Sequence, residues 1–210
     1  MTKTILFDCW GTLIEQGVHS PLKQVKEMLN IQIPFHNYVV RMERAMMTRS
    51  FPTLKEAFLS VAKEFNLQPT EEQLDTLIGL WNKSWMLAQP YQEVEEVLRE
   101  LQKEYTLVLV SNTDNVGVEK VLEKFGLKNY FAAIFFSYQL GNLKTDKKFF
   151  YQIFDQLGVH AEDCIMVGDS VQSDIIPAKQ LGMRAILVDR KDQRDFPEKI
   201  KNLRELNGVL

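Results

Sequence analysis

Five short apolar runs recur along the chain: TILFD (4–8), TLVLVS (106–111), AAIFFS (132–137), CIMVGD (164–169) and RAILVD (184–189). Each ends in Asp or Ser and most are rich in Val, Ile and Leu, a pattern that suits parallel strands buried on both faces. Between them lie QEVEEVLRELQKE (92–104), NVGVEKVLEKFG (115–126), KKFFYQIFDQLG (147–158) and VQSDIIPAKQLG (171–182). All four carry apolar residues at helical spacing, and three end in glycine, a common helix terminator. Strand and helix alternating through short links predict a parallel sheet with helices on both faces. The fold expected is α/β: a Rossmann-like three-layer core with about five strands.

One interval breaks the rhythm. Between Thr12 and Pro90 no strand-like run occurs, and four helical patterns stand near 20–30, 36–49, 53–66 and 70–88. LKQVKEML, FHNYVVRMERAMM, LKEAFLSVAKEF and EEQLDTLIGLWNKSW each carry an apolar stripe of period near 3.6. This predicts a helical domain, residues 16–89, inserted into a core made of residues 1–15 and 90–210. Hinges are expected near 15–20 and 88–91. No internal repeat or low-complexity segment interrupts either part.

Composition narrows the function classes. Hydrophobic residues make up 45% of the 210 and charged residues 25%, the mixture of an ordinary globular protein. A formal net charge of -3 gives no electrostatic case for nucleic acid or an anionic membrane as partner. No apolar stretch reaches transmembrane length, and the start MTKTILFDCW lacks the pattern of a signal peptide. A cytoplasmic protein, monomer or homodimer, is expected. The two cysteines, Cys9 and Cys164, are read as reduced thiols. They lie near opposite ends of neighbouring strands, roughly 16 Å apart at ~3.3 Å per residue, whereas a bridge needs Cα atoms within about 7 Å.

In an open parallel sheet, ligands bind at the carboxyl ends of the strands. The groups standing there are Asp8, Ser111 with Asn112 and Thr113, and Asp169, with Asp174 one helical turn further on. Lys144 lies in the loop GNLKTDKKFF, just before a helix. Carboxylates, a hydroxyl with a neighbouring amide and a lysine on one edge suit a divalent cation and a phosphate. Hard oxygen ligands hold magnesium, while lysine and hydroxyl donors take up phosphoryl charge.

DCWGT at 8–12, SN at 111–112, Lys144 and GDSVQSD at 168–174 stand in this order along almost the whole chain. In these motifs the chain resembles the haloacid dehalogenase-like hydrolase superfamily, in the branch with a helical cap after the first motif. The resemblance implies Asp8 as a nucleophile that forms an aspartyl-phosphate, with Ser111 and the Asn112 backbone amide hydrogen-bonding the phosphoryl oxygens. It implies Lys144 as the group that offsets charge between Asp8 and the phosphate. Magnesium would be held by Asp8, Asp169 and the main-chain carbonyl of Trp10, with Asp174 as support or further contact. The implied substrate is a small phosphorylated metabolite.

Trp10 departs from the pattern. Phosphatases of this family usually carry Asp there, as the acid and base that protonates the leaving group and activates water. An indole N–H is a donor only and does not titrate, so the proton shuttle is missing. Three readings stay open: a magnesium-dependent phosphatase that is slow, or that uses another acid such as Asp114 or a cap residue; a dehalogenase-like enzyme working without metal; or a catalytically weak member that binds a phosphorylated ligand or a protein. Other residues read more plainly. Phe35, Tyr38, Met46, Met47, Trp81 and Trp85 suit packing between helices, and Arg41, Arg44 and Arg49 suit solvated helix faces. Asp174 could serve only to stabilise the start of its helix. His19, His36 and His160 have no metal-ligand spacing.

Overall fold

A central strand, β1 (Thr4–Phe7), runs between two later ones, and this arrangement decides where a ligand can sit. The computed structural model describes residues 3–210, so the first two residues of the expected 1–15 segment lie outside the described residues. After β1 come β2 (Ile14–Glu15) and four helices: α1 (Pro21–Met28), α2 (Phe35–Met47), α3 (Leu54–Glu64) and α4 (Glu71–Met86). The chain returns through β3 (Gln89–Pro90) to α5 (Val94–Leu101), β4 (Thr106–Ser111), α6 (Val118–Lys124) and β5 (Ala133–Phe136). It continues with α7 (Ser137–Leu140), α8 (Lys147–Leu157), β6 (Cys164–Gly168), α9 (Ile176–Gln180), β7 (Arg184–Val188) and β8 (Lys199–Ile200).

The main sheet has the order β5-β4-β1-β6-β7-β8, with every pair parallel. About five strands were expected and six are present. The sixth, Lys199–Ile200, is two residues long and offers no apolar run to read. From β1 the chain steps outward to β4 and β5, then crosses back to β6 and moves the other way. The order reverses around β1, and crevices form at the carboxyl ends of strands at such switch points.

Side chains alternate across the sheet as a pleat requires. Ile5, Phe7, Leu107, Leu109, Ile165 and Val167 face α5 and α6. Leu6, Val108, Val110, Met166 and Leu187 face α8 and α9. Cys9 packs with the first set and Cys164 with the second, and both are free thiols.

The four helices of the insert gather round a separate cluster that includes Tyr38, Met42, Met46, Phe58, Leu74 and Trp81. Thr53 caps α3 by accepting from the Glu56 N–H, and Thr70 with Gln73 forms a reciprocal cap on α4. The two crossings between insert and sheet run side by side, since β2 and β3 pair antiparallel. They fall where hinges are expected. The expected helix over 171–182 is present, opening as a π-helical turn, Val171–Ile175, and continuing as the short α9. No helix among the described residues is long and apolar enough to cross a membrane.

Neighbouring residues of α3 offer a test of this packing. Phe58 is fully buried and Leu59 is 44% exposed. Phe58→Ala is expected to destabilise by about 3–5 kcal/mol, the range for a large core ring. Leu59→Ala should cost about 0.5 kcal/mol or less, as surface changes do. Urea midpoints of the two variants check this.

Candidate active site

Asp8 stands one residue beyond β1, and its N–H still donates to Val167 O at 2.9 Å. Its two oxygens are both engaged: Oδ1 accepts from Lys144 Nζ at 2.6 Å and Oδ2 from Thr12 Oγ1 at 3.0 Å. Lys144 reaches inward from the loop before α8 and also donates to Asp174 Oδ1 at 2.5 Å. It is 2% exposed. Burial works against its charge, but the Asp174 and Asp8 carboxylates overcome this and raise its pKa above the usual lysine range.

Asp174 is turned fully into the protein, not out along the helix start. Its second oxygen accepts from the Ser170 N–H at 2.9 Å. Asp169 follows β6, and its carboxylate accepts no hydrogen bond among the described residues. Carboxylate oxygens of Asp8, Asp169 and Asp174 all lie within 4.8 Å of one another. Burial, then the charges of Asp8 and Asp174, push the Asp169 carboxyl up to about 8. Burial also raises Asp174, against the opposing pull of Lys144.

Two glycines make this crowding possible. A Cβ on Gly11 would stand 2.4 Å from Asp169 Oδ2, and the residue has φ +81°, where side chains are strained. A Cβ on Gly168 would stand 2.3 Å from Asp174 Oδ2. The Gly11–Thr12 turn is pinned from outside by Arg190, which donates to both carbonyls and to Glu93. Arg194 donates to the Asp169 carbonyl.

The remaining expected residues distribute unevenly. Asn112 Oδ1 accepts the Lys144 N–H at 2.9 Å, which ties the end of β4 to the lysine loop. Ser111 is fully buried, its hydroxyl directed at Asn112 O at 3.4 Å, and it lies behind the wall of the cavity rather than on it. Trp10 lines that cavity and donates from Nε1 to Thr113 Oγ1 at 3.3 Å. Asp114 accepts from Trp81 Nε1 at 2.8 Å and from the Val116 N–H at 2.7 Å. Arg41 and Arg44 pair with Glu64 and Asp146, and Arg49 lies over the Phe51 ring, all away from the cavity.

The cavity has a volume of about 510 Å³ and is walled by the strand ends below and by α2 and α4 above. Val39, Val40, Met47, Trp81 and Trp85 give its upper wall an apolar character. One charged residue interrupts that wall. Glu43 of α2 is 8% exposed and accepts from Asn112 Nδ2 at 2.9 Å. Nothing in the sequence separates it from the other charges of an amphipathic helix.

A family model for haloacid dehalogenase-like hydrolases matches residues 2–182. The chain belongs to the haloacid dehalogenase-like hydrolase family. Within it, the chain is 33% identical over 102 residues to N-acylneuraminate-9-phosphatase of Mus musculus, a match covering 49% of this chain and 41% of the mouse protein. It is 26% identical over 211 aligned residues to glyceraldehyde 3-phosphate phosphatase of Methanothermobacter thermautotrophicus, covering 95% of this chain and 92% of that one. A 2-haloacid dehalogenase of Pseudomonas syringae superposes with a TM-score of 0.67 at 23% identity, covering 100% and 98% of the two chains. At that identity the likeness is one of fold.

The donor set of this hydrolase suits a hard divalent cation. Three carboxylates converge with one lysine to balance them, and Asp169 has no donor of its own. Oxygen-only ligands of this charge are what magnesium takes.

The raised carboxyls fix the sign of a pH effect. Unfolded, Asp169 titrates near its ordinary 3.8; folded without metal it holds its proton to about 8. Below about pH 4 both states are protonated and stability is undiminished. As pH rises towards 8 only the unfolded chain releases the proton, so stability falls. Thermal midpoints in chelator should therefore decline across this window, and Asp169→Asn or saturating magnesium should flatten the decline.

Proposed function

We propose that this hydrolase cleaves phosphomonoesters of small metabolites with magnesium, using Asp8 as nucleophile. The observation that carries the reading is the convergence of Asp8, Lys144, Asp174 and Asp169 at the strand-order switch. The phosphatase names of the two relatives support it.

In this reading an oxygen of Asp8 attacks phosphorus, and the bond from phosphorus to the ester oxygen breaks. The leaving oxygen carries away the electron pair and takes a proton. Water then cleaves the aspartyl-phosphate, which releases phosphate and restores Asp8. Dividing one hard displacement into two easier ones is the gain from a covalent intermediate. Lys144 holds Asp8 in place and offsets negative charge that gathers beside it. The Asn112 side chain fixes the lysine loop and its main-chain amide serves as donor to the phosphoryl group, while Ser111 supports the strand end from behind. Asp8, Asp169 and the Trp10 carbonyl, with Asp174 beside them, would hold magnesium, which would supply charge stabilisation and orientation of the phosphoryl group. The Trp10 side chain does not enter this chemistry, and its bond to Thr113 keeps the indole against the β4 loop.

Residues 16–89 then act as a cap domain over a core of residues 1–15 and 90–210. The paired crossings β2 and β3 form its hinge. Closure excludes water and selects the alcohol part of the substrate. The dehalogenase-like alternative has the aromatic Trp10 in its favour, but gives no role to an acidic site of three carboxylates.

Phosphate release from small phosphomonoesters with magnesium, against chelator, tests the reading. Asp8→Asn should abolish release while the variant unfolds in one cooperative transition, because the amide oxygen still accepts from Lys144. Asp169→Ala should raise the magnesium concentration needed for half-maximal rate. Metal-independent release of halide from a 2-haloacid, without phosphate release, would transfer the chain to the dehalogenase-like reading.

A further inference from the structure

The α2 helix sends its charges outward, with one exception. Arg41 pairs with Glu64 and Arg44 with Asp146, whereas Glu43 is buried in the roof of the cavity. A carboxylate in an apolar wall is costly unless it is satisfied. Glu43 has a single partner: Oε2 accepts from Asn112 Nδ2, and Oε1 accepts nothing among the described residues. The same Asn112 holds the loop of Lys144, whose ammonium holds Asp8. Two hydrogen bonds at one amide therefore join the helix carboxyl to the floor of the site.

We propose that Glu43 is the acid and base of the phosphatase reaction, acting from the helical insert on the leaving-group oxygen that Trp10 cannot protonate. This rests on the phosphatase reading above. As the bond between phosphorus and the ester oxygen breaks, the proton on Glu43 passes to that oxygen and the alcohol leaves neutral. Glu43, now a carboxylate, takes a proton from the water that attacks the aspartyl-phosphate. Asp8 and protonated Glu43 are both restored, and phosphate departs.

The electrostatics fit this exchange. Burial pushes the Glu43 carboxyl up to about 7; the Lys144 charge and the Asn112 bond oppose the rise, and Asp174 and Asp8 add to it. His36 on its own helix, with Asp114, Asp169 and Arg194 on the core side, are the other titratable or charged groups that line the cavity. Proton transfer is most effective when the group titrates near the working pH. Asp114, the other acid in reach, has both oxygens occupied by Trp81 Nε1 and the Val116 N–H.

The test compares wild type with Glu43→Gln, which keeps the shape and an acceptor for Asn112, on two esters in magnesium. One is p-nitrophenyl phosphate, whose leaving group needs no proton; the other is a primary alkyl phosphate, whose leaving group does. The variant should lose at least ~10²-fold in kcat/KM on the alkyl ester and less than ~10-fold on the nitrophenyl ester. Its kcat/KM on the alkyl ester should also lose the fall that wild type shows above neutral pH, and Glu43→Asp should recover part of the rate. Thermal midpoints confirm that the variants are folded. Equal loss on both esters, no loss on either, or an unchanged pH limb would overturn the assignment of Glu43 while the phosphatase reading stands. Failure of that reading is visible earlier, as wild type that releases no phosphate or Asp8→Asn that still does, and it takes the proposal with it.

Discussion

Lys144 is almost wholly buried and carries a charge, and the carboxylates of Asp8 and Asp174 at 2.6 and 2.5 Å are what make that tolerable. The dependence is mutual. Removing one partner from a buried ion pair typically costs about 3–5 kcal/mol, since the other charge is left without compensation. The segments that follow two strands, β1 and β6, and one loop are thereby tied at a single point. The lysine loop is also bound to β4 through Asn112, and the Asp8 main chain to β6 through Val167. With Lys144 shared by Asp8 and Asp174, Asp169 is left without a donor among the described residues and holds its proton up to about pH 8. A cation that took the place of that proton would relieve the burial of three carboxyl groups at one point, which is the physical reason for reading the site as one for a metal.

So dense a cluster needs a backbone that leaves room for it. Gly11 and Gly168 do this by bringing main chain to within a missing Cβ of Asp169 and Asp174. Arg190 then clamps the Gly11–Thr12 turn from the far side, with its guanidinium 3.4 Å from the centre of the Tyr91 ring. The clamp and the glycines together set where the carboxylates point. The sheet order supplies the rest, because only at β1 do neighbouring strands lead away in opposite directions.

The sheet was legible because buried strands leave apolar runs, and their chemical residues were legible because such runs end in them. Asp8, Asn112 and Asp169 stand at one edge for that reason, and Lys144 and Asp174 join them from a loop and a turn. The two-residue β8 left no run, and the π-helical turn at Val171–Ile175 has the same apolar spacing as an α-helix. Asp174 suited a helix-start carboxylate just as well, and only its inward contacts with Lys144 and the Ser170 N–H separate the two. Glu43, Arg190 and Arg194 were hidden for a different reason. A single charge on an amphipathic helix, as Glu43 is, or in an irregular segment, as the two arginines are, has no sequence mark of its contacts, and its role is set by elements distant in the chain.

Trp10 and Glu43 then belong to one design choice. An acid two residues after the nucleophile would be fixed to the core and present whether the helices were open or closed. On the proposed reading, an acid on α2 would reach the ester oxygen only with the insert over the strand ends, as it lies here. Water entering an open site would then meet no base to activate it, and the covalent intermediate would be protected until closure. The indole in turn occupies the place an aspartate would take and lends an apolar surface to the cavity floor, opposite Val39, Val40 and Met47. Charge is thus concentrated at the strand ends of the cavity, and the wall from α2 and α4 is largely apolar, with Glu43 and His36 as its titratable groups.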